Sequence, residues 1–272
     1  MKYLKKIIVS LFISTYSLFG FNIEPFPQNA PMLEIFSTNC LQMTQSQQIL
    51  KAYIMVGLGN SFGNPKESLD RAIPIYDKRM DKVRDYFQKK LSENPKDKAF
   101  IKAKKSFDTA HKLWKSSKKM LLTKPNSKNA LLIRANFLLM IDELLKGTKP
   151  LATPDLELIS LTGKLCRKPL EVTIDYLLKI WDATPKDYEK RLSLIIDNYY
   201  VNLQTLSNNK LNNDESKKLL MEAEKGFHFF KFMYNSKRSY IPSLLSKKAD
   251  DNFLIIRNIK KIYKEQATLH QK

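Results

Sequence analysis

The chain has 272 residues, 43% of them hydrophobic and 11% aromatic, which is material for a core and excludes wholesale disorder. Only 7 residues are glycine, too few for the turn-rich sandwiches, barrels and nucleotide-binding α/β folds. The net charge of +20 sets 47 basic residues, 39 Lys and 8 Arg, against 27 acidic ones. Base readout and bidentate phosphate clamping favour Arg, so this lysine excess reads as solvated surface and disfavours nucleic acid as a partner.

Residues 1–20 read as a signal peptide. Lys2, Lys5 and Lys6 form the charged start, Ile7 to Phe19 the apolar stretch, and Gly20 the small residue before a cut at Phe21. The apolar run is short of the roughly 20 residues that span a bilayer. The expectation is a cleaved, exported chain in an oxidising compartment, most simply a bacterial periplasm, with no membrane-embedded part once cleaved.

Helical periodicity follows. Leu69, Ile73, Tyr76, Met80, Val83 and Phe87 recur at alternating spacings of 4 and 3, and Phe100, Ala103, Phe107, Ala110, Trp114 and Leu121 continue the rhythm. Leu131, Ala135, Leu138, Asp142 and Leu145 give a third stripe with one polar interruption. Gly, Pro, Asn and Ser punctuate the chain at 57–65, 92–95, 124–127 and 147–154. Asn64 is placed as an N-cap before Pro65, and Pro74 as a kink inside the second helix. Four helices result, at about 31–58, 65–91, 96–122 and 128–146. The short loops imply antiparallel neighbours and an up-down bundle.

The second half repeats the first. Pro31, Leu33, Glu34, Ser37 and Tyr53 return 123 positions later as Pro154, Leu156, Glu157, Ser160 and Tyr176. Pro65, Lys66, Arg71, Ile75 and Asp77 return at an offset of 120 as Pro185, Lys186, Arg191, Ile195 and Asp197. Phe107, Ala110, Trp114 and Met120 match Leu220, Ala223, Phe227 and Met233 at 113. The offset changes only at loops. The fold expected is all-α: two tandem up-down four-helix bundles, 31–147 and 154–268.

Chemistry-bearing motifs are few. Gly59-Asn60-Ser61-Phe62-Gly63 matches the G-x-S-x-G nucleophile elbow, which would make Ser61 a hydrolase serine, but the elbow needs a preceding strand and an oxyanion loop. An interhelical turn is the favoured reading. Asp108 with His111, and Glu224 with His228, share helix faces, without the carboxylate set of a bundle metal site. Trp114, Trp181 and Phe227, Phe229, Phe230 and Phe232 read as core. Lys112, Lys115, Lys118 and Lys119 read as a solvated face, or one meeting an acidic partner. There is no P-loop and no dinucleotide fingerprint. No metal, no cofactor and no catalytic residue is assigned. Cys40 and Cys166 lack metal-ligand neighbours and permit either one disulfide or two buried thiols.

The segment from Gln42 to Gly59, with Ser46, Gln47, Lys51 and Tyr53, resembles the first helix of the PilJ-type domain. That is the N-terminal domain of type IV pili methyl-accepting chemotaxis transducers, related to the periplasmic domain of nitrate/nitrite sensor kinases. The segment from Gly163 to Lys179, opening Gly-Lys-Leu and closing Tyr-Leu-Leu-Lys, resembles the same pattern. The resemblance implies periplasmic four-helix sensory modules in which two first helices meet and their arginines hold a small anion. This chain has Met43 and Cys166 at the first arginine position, and Gln48 and Glu171 at the second. Nitrate is therefore a poor candidate. The expected ligand-binding set is Met43, Ser46, Gln47, Gln48, Lys164 and Arg167, for an unknown small ligand. No second membrane helix, transmitter or kinase accompanies it, so the expected role is a non-enzymatic sensory or ligand-binding subunit that meets a membrane receptor or sensor kinase. A structural protein with a decayed ligand site is the alternative. The two modules are expected to form an intrachain pseudo-dimer, parallel and clamped by a Cys40–Cys166 disulfide.

Overall fold

A computed structural model of the chain describes residues 32–236 and 241–270. The expected signal peptide, 1–20, lies outside them. Among the described residues there are eight α-helices and no strand. They are α1 Met32–Gly57, α2 Pro65–Glu93, α3 Lys98–Leu121, α4 Ser127–Thr148, α5 Pro154–Ile180, α6 Tyr188–Ser207, α7 Asp214–Ser236 and α8 Pro242–His270, with a 3-10 turn at Lys149–Leu151 after α4. Among the described residues no helix is long and apolar enough to cross a membrane.

Local chemistry sets the helix ends. Asp97 accepts from the backbone N–H of Ala99 and Phe100, capping α3. Asn126 accepts from Asn129 N–H at the start of α4, and Asn213 from Ser216 N–H at the start of α7. Asn64 holds the N-cap position of α2 without a side-chain cap bond; it stands at φ 49, a left-handed conformation that Asn tolerates better than most residues. Pro74 sits within α2, which runs through it as one helix.

The α2 and α3 stripes bury as the periodicity predicts, with Phe100 left half-buried. On α4 the expected register is wrong. Ala135 and Asp142 are exposed, and the buried line is Ala130, Ile133, Phe137, Met140 and Leu144. Leu131, Leu132, Leu138, Leu139 and Leu145 put apolar side chains on nearly every face of this helix, so spacing alone selects no single stripe.

In the first bundle α1 packs on α2 and α4, and α3 packs on both of them; α5 to α8 repeat this arrangement. The first helices of the two bundles, α1 and α5, also pack extensively against each other. The space a Cβ on Gly163 would fill is occupied by Cys40 Cβ and Sγ, 2.8 Å away. Arg167 Nη1 lies 3.6 Å from Met43 Sδ. Both contacts join residues about the same number of positions apart, so α1 and α5 run parallel. The two apolar cores do not divide at the linker: Leu156, Ile159, Ile174, Leu177 and Leu178 of α5 belong to the first, and Leu165, Cys166, Leu170 and Val172 to the second.

The expected disulfide is absent. Cys40 and Cys166 are both free and buried. Gly163, not Cys166, stands opposite Cys40, and the Cys40 thiol donates to the Ile159 carbonyl at 3.7 Å. Three residues leave Cys166 about 60° short of a full turn, which turns its thiol into the second core. Burial pushes that thiol up to about 12, so it stays protonated.

Candidate functional site

Among the described residues, α1 and α5 together carry more than half of the buried polar and charged side chains. Alternating apolar and polar residues along two adjoining helices leave Asn39, Gln42, Thr44, Gln45, Ser46, Gln47 and Lys51 buried on α1. On α5 the buried set is Thr162, Arg167, Glu171, Thr173 and Asp175.

Four of the six expected ligand residues lie in the seam or beside it. Met43 is 1% and Arg167 3% exposed, and they touch. The Arg167 Nη1 also donates to the Gly163 carbonyl at 3.4 Å. Its Nε has no hydrogen-bond partner, and Glu171 Oε1 is 3.6 Å away. Ser46 donates to the Met43 carbonyl at 2.8 Å, and Gln47 Nε2 donates to Ser46 Oγ at 3.4 Å. Gln48 does not converge: at 100° per residue it lies about 140° round the helix from Met43 and lines a different cleft. Lys164 is half-buried, nearly one turn before Arg167.

A charge network adjoins this set, and it is the part sequence reasoning missed. Arg134 of α4 grips Asp175 with Nε at 2.6 Å and Nη2 at 3.0 Å, and reaches Asp187 at 3.3 Å. Arg191 of α6 bridges Asp175 at 3.2 Å and Glu171 at 3.0 Å. Lys168 adds a contact to Glu171 at 3.2 Å. Burial acts upward on the Glu171 carboxyl, and the charges of Lys168, Arg191 and Arg167 overcome it, leaving the group below its ordinary range. At Asp175 burial outweighs Arg134 and Arg191, and the carboxyl sits above its ordinary range. The signal available was the pair Glu171 and Asp175, spaced i, i+4 within a stretch of α5 that is otherwise uncharged from Pro169 to Leu178.

Two residues of the first-helix motif act as cross-links. Lys51 pairs with Asp250 of α8 at 2.6 Å, joining the bundles. The Tyr53 hydroxyl accepts from Asn126 N–H at the turn before α4. On α1, Asn39 and Gln42 are buried with neither side-chain amide atom hydrogen-bonded.

The remaining candidates have structural surroundings. Ser61 is exposed in a turn that follows helix α1, not a strand, so the strand–turn–helix geometry of the elbow is missing. His111 faces Asp81 at 3.1 Å, while Asp108 pairs with Lys104; His228 meets the Tyr200 hydroxyl at 3.1 Å. Among the described residues no group of His, Cys, Asp and Glu is placed to hold a metal ion. Lys115 and Lys118 are not merely solvated: both clamp Asp77. Trp114, Phe227 and Phe230 are core, whereas Phe232 is exposed and the Trp181 ring covers Gly57.

Comparison with protein-family models, with curated proteins and with solved structures finds no match to this chain.

Proposed function

We propose that this chain is a sensory or small-ligand-binding protein built as an intrachain pseudo-dimer, with its ligand site in the α1–α5 seam. The observation that carries the reading is the meeting of Met43 and Arg167 at 3.6 Å, with a buried guanidinium Nε that makes no hydrogen bond and has only the 3.6 Å ion-pair contact to Glu171. Cys40 and Gly163 are equivalent positions of the repeat, 123 apart, and they face each other. Equivalent residues meet in this way across the axis of a parallel two-fold pair. The PilJ-type resemblance of both first helices points the same way.

The chemistry favours a small polar molecule over a bare oxyanion. Glu171 stands 3.6 Å from the Arg167 guanidinium and offsets its charge. Nitrate and nitrite would enter a seam whose positive groups are already paired. Export to the periplasm, after cleavage near Gly20, and presentation to a membrane receptor or sensor kinase complete the proposal. The N-terminus of the mature native protein, read by mass spectrometry, is expected near Phe21; an intact Met1 in the exported fraction contradicts export with cleavage.

A thermal-shift screen of small polar metabolites and anions tests the ligand reading, because a compound that binds only the folded state raises its stability. We expect a saturable rise with a polar metabolite and none with millimolar nitrate. A screen in which nothing shifts favours the scaffold alternative. A micromolar nitrate isotherm overturns the charge argument.

A further inference from the structure

The outer face of α4 carries an apolar stripe that no described residue covers. The exposed side chains of this helix are Lys128, Leu132, Ala135, Leu139, Asp142 and Lys146, spaced 4, 3, 4, 3 and 4. That is the a/d spacing of a helix that packs lengthwise on another helix. Leu132 and Leu139 are 49% and 55% exposed, and the half-buried Leu131 and Leu138 widen the stripe. A single exposed leucine is ordinary, but a contiguous line of them marks an interaction surface. In the second bundle α8 holds the equivalent place, and past Leu244 its exposed side chains as far as Gln266 are Lys247, Arg257, Asn258, Lys261 and Glu265. The leucine line therefore belongs to α4 and is not a requirement of the bundle.

The charges along the stripe select its partner. Lys128 and Asp142 stand seven residues either side of Ala135. Seven residues rise about 10.5 Å and fall about 20° short of two turns, so all three lie on one line. Lys146 is already paired with Glu143 at 2.8 Å, whereas Lys128 and Asp142 form no salt bridge among the described residues. A second α4 laid antiparallel on this one, with a two-fold axis at Ala135, sets Lys128 against the partner's Asp142 and Asp142 against the partner's Lys128. Between those ends Leu131 and Leu132 meet the partner's Leu139 and the partner's Leu138. Ala135 meets its own copy, where its small side chain lets the helices approach closely. Such a contact is isologous, the same patch on both sides. A parallel pairing sets Lys128 on the partner's Lys128 and Asp142 on the partner's Asp142, so like charges meet at each end.

We infer that the outer face of α4 is an interface for a second copy of this chain, docked antiparallel about a two-fold axis at Ala135. α1 and α5 are already packed on each other within the chain, so this contact joins two whole chains by a different helix. The large positive net charge opposes self-association at low salt, and screening relieves it at physiological ionic strength, where the Debye length is about 8 Å. One helix from each side makes a small interface, which places the dissociation constant in the micromolar range. The inference stands whether or not the α1–α5 seam binds a ligand.

Sedimentation velocity of the mature chain in about 150 mM salt, at about 1 to 200 µM, is expected to show a monomer–dimer equilibrium. Lys128→Glu and Asp142→Lys should each weaken the dimer by about tenfold, because each sets like charges together at both ends. The double variant, and an equimolar mixture of the two single variants, should regain most of the lost affinity, since both restore opposite charges at each end. Leu132→Lys with Leu139→Lys should abolish the dimer. Those side chains are exposed, so the fold survives, which an unchanged circular dichroism spectrum checks. A chain that stays monomeric at the highest concentration, single charge variants that fail to rescue each other, or a dimer that survives Leu132→Lys with Leu139→Lys would each overturn the inference.

Discussion

Three donors converge on Asp77 from α3. Trp114 Nε1 donates at 2.8 Å and Lys115 Nζ at 2.9 Å to Oδ1, while Lys118 takes Oδ2. Burial pushes this carboxyl up, but the three donors outweigh it and hold the group well below the usual carboxylate range. Its stabilising contribution is therefore complete above the ordinary aspartate pKa of about 4 and fades as pH falls below it. Asp77→Asn should cost about 1–2 kcal/mol at neutral pH, since hydrogen bonds to a charged group are worth that much. In urea unfolding the gap between variant and wild type should narrow at pH ~2.5, where the unfolded wild-type chain takes up a proton at Asp77 that the folded carboxylate still refuses. An equal gap at both pH values contradicts the assignment. The cysteines give a second prediction at this scale. Thiol titration of the unreduced, unfolded chain should find two free thiols, Cys40 and Cys166. A count of zero would restore the disulfide that the repeat register suggested. That register was legible as far as Gly163, which does stand against Cys40. The 60° that separates Cys166 from the contact line is a matter of side-chain direction, which spacing alone blurs.

Between elements, a buried bidentate tie runs from α4 to α5. Arg134 and Asp175 are a bidentate pair, with side-chain exposures of 10% and 1%. Removing one partner of a buried pair strands the other, so Arg134→Met should cost about 3 kcal/mol even though Arg191 still reaches Asp175. The double variant Arg134→Met with Asp175→Leu should lose clearly less than the sum of the two single losses. Strict additivity, measured by chemical denaturation, would show that the pair is not coupled. The helices themselves could be read from the sequence, because apolar residues recur at 3 and 4 and Pro, Gly and Asn interrupt them; the expected bounds fall within three residues of the observed ends. The tie could not. It depends on which face of α4 turns inward, and leucines such as Leu132 and Leu139, exposed at 49% and 55%, mask that face. Arg134 was thereby left out of the expected core.

At the scale of the whole molecule, two bundles share one central pair of helices, and α5 contributes to both cores. Sequence repetition suggested the two modules, and the offset of 123 along the first helices pairs Cys40 with Gly163, which do stand against each other although the disulfide expected from that alignment is absent. The six expected ligand residues divided along helix geometry. Met43 and Arg167 meet because repeat-equivalent stretches of α1 and α5 run parallel, whereas Gln48, only five residues from Met43, turns to the other cleft. The central claim is that Arg167 is available to a small ligand in the seam. The measurement that tests it most directly is calorimetric titration of wild type and Arg167→Met with the same stabilising compound. The variant should keep its fold, because Glu171 retains Lys168 and Arg191 as partners. The account predicts an affinity lower by at least about tenfold, the worth of a charge-assisted hydrogen bond. An unchanged affinity in a folded variant would contradict it.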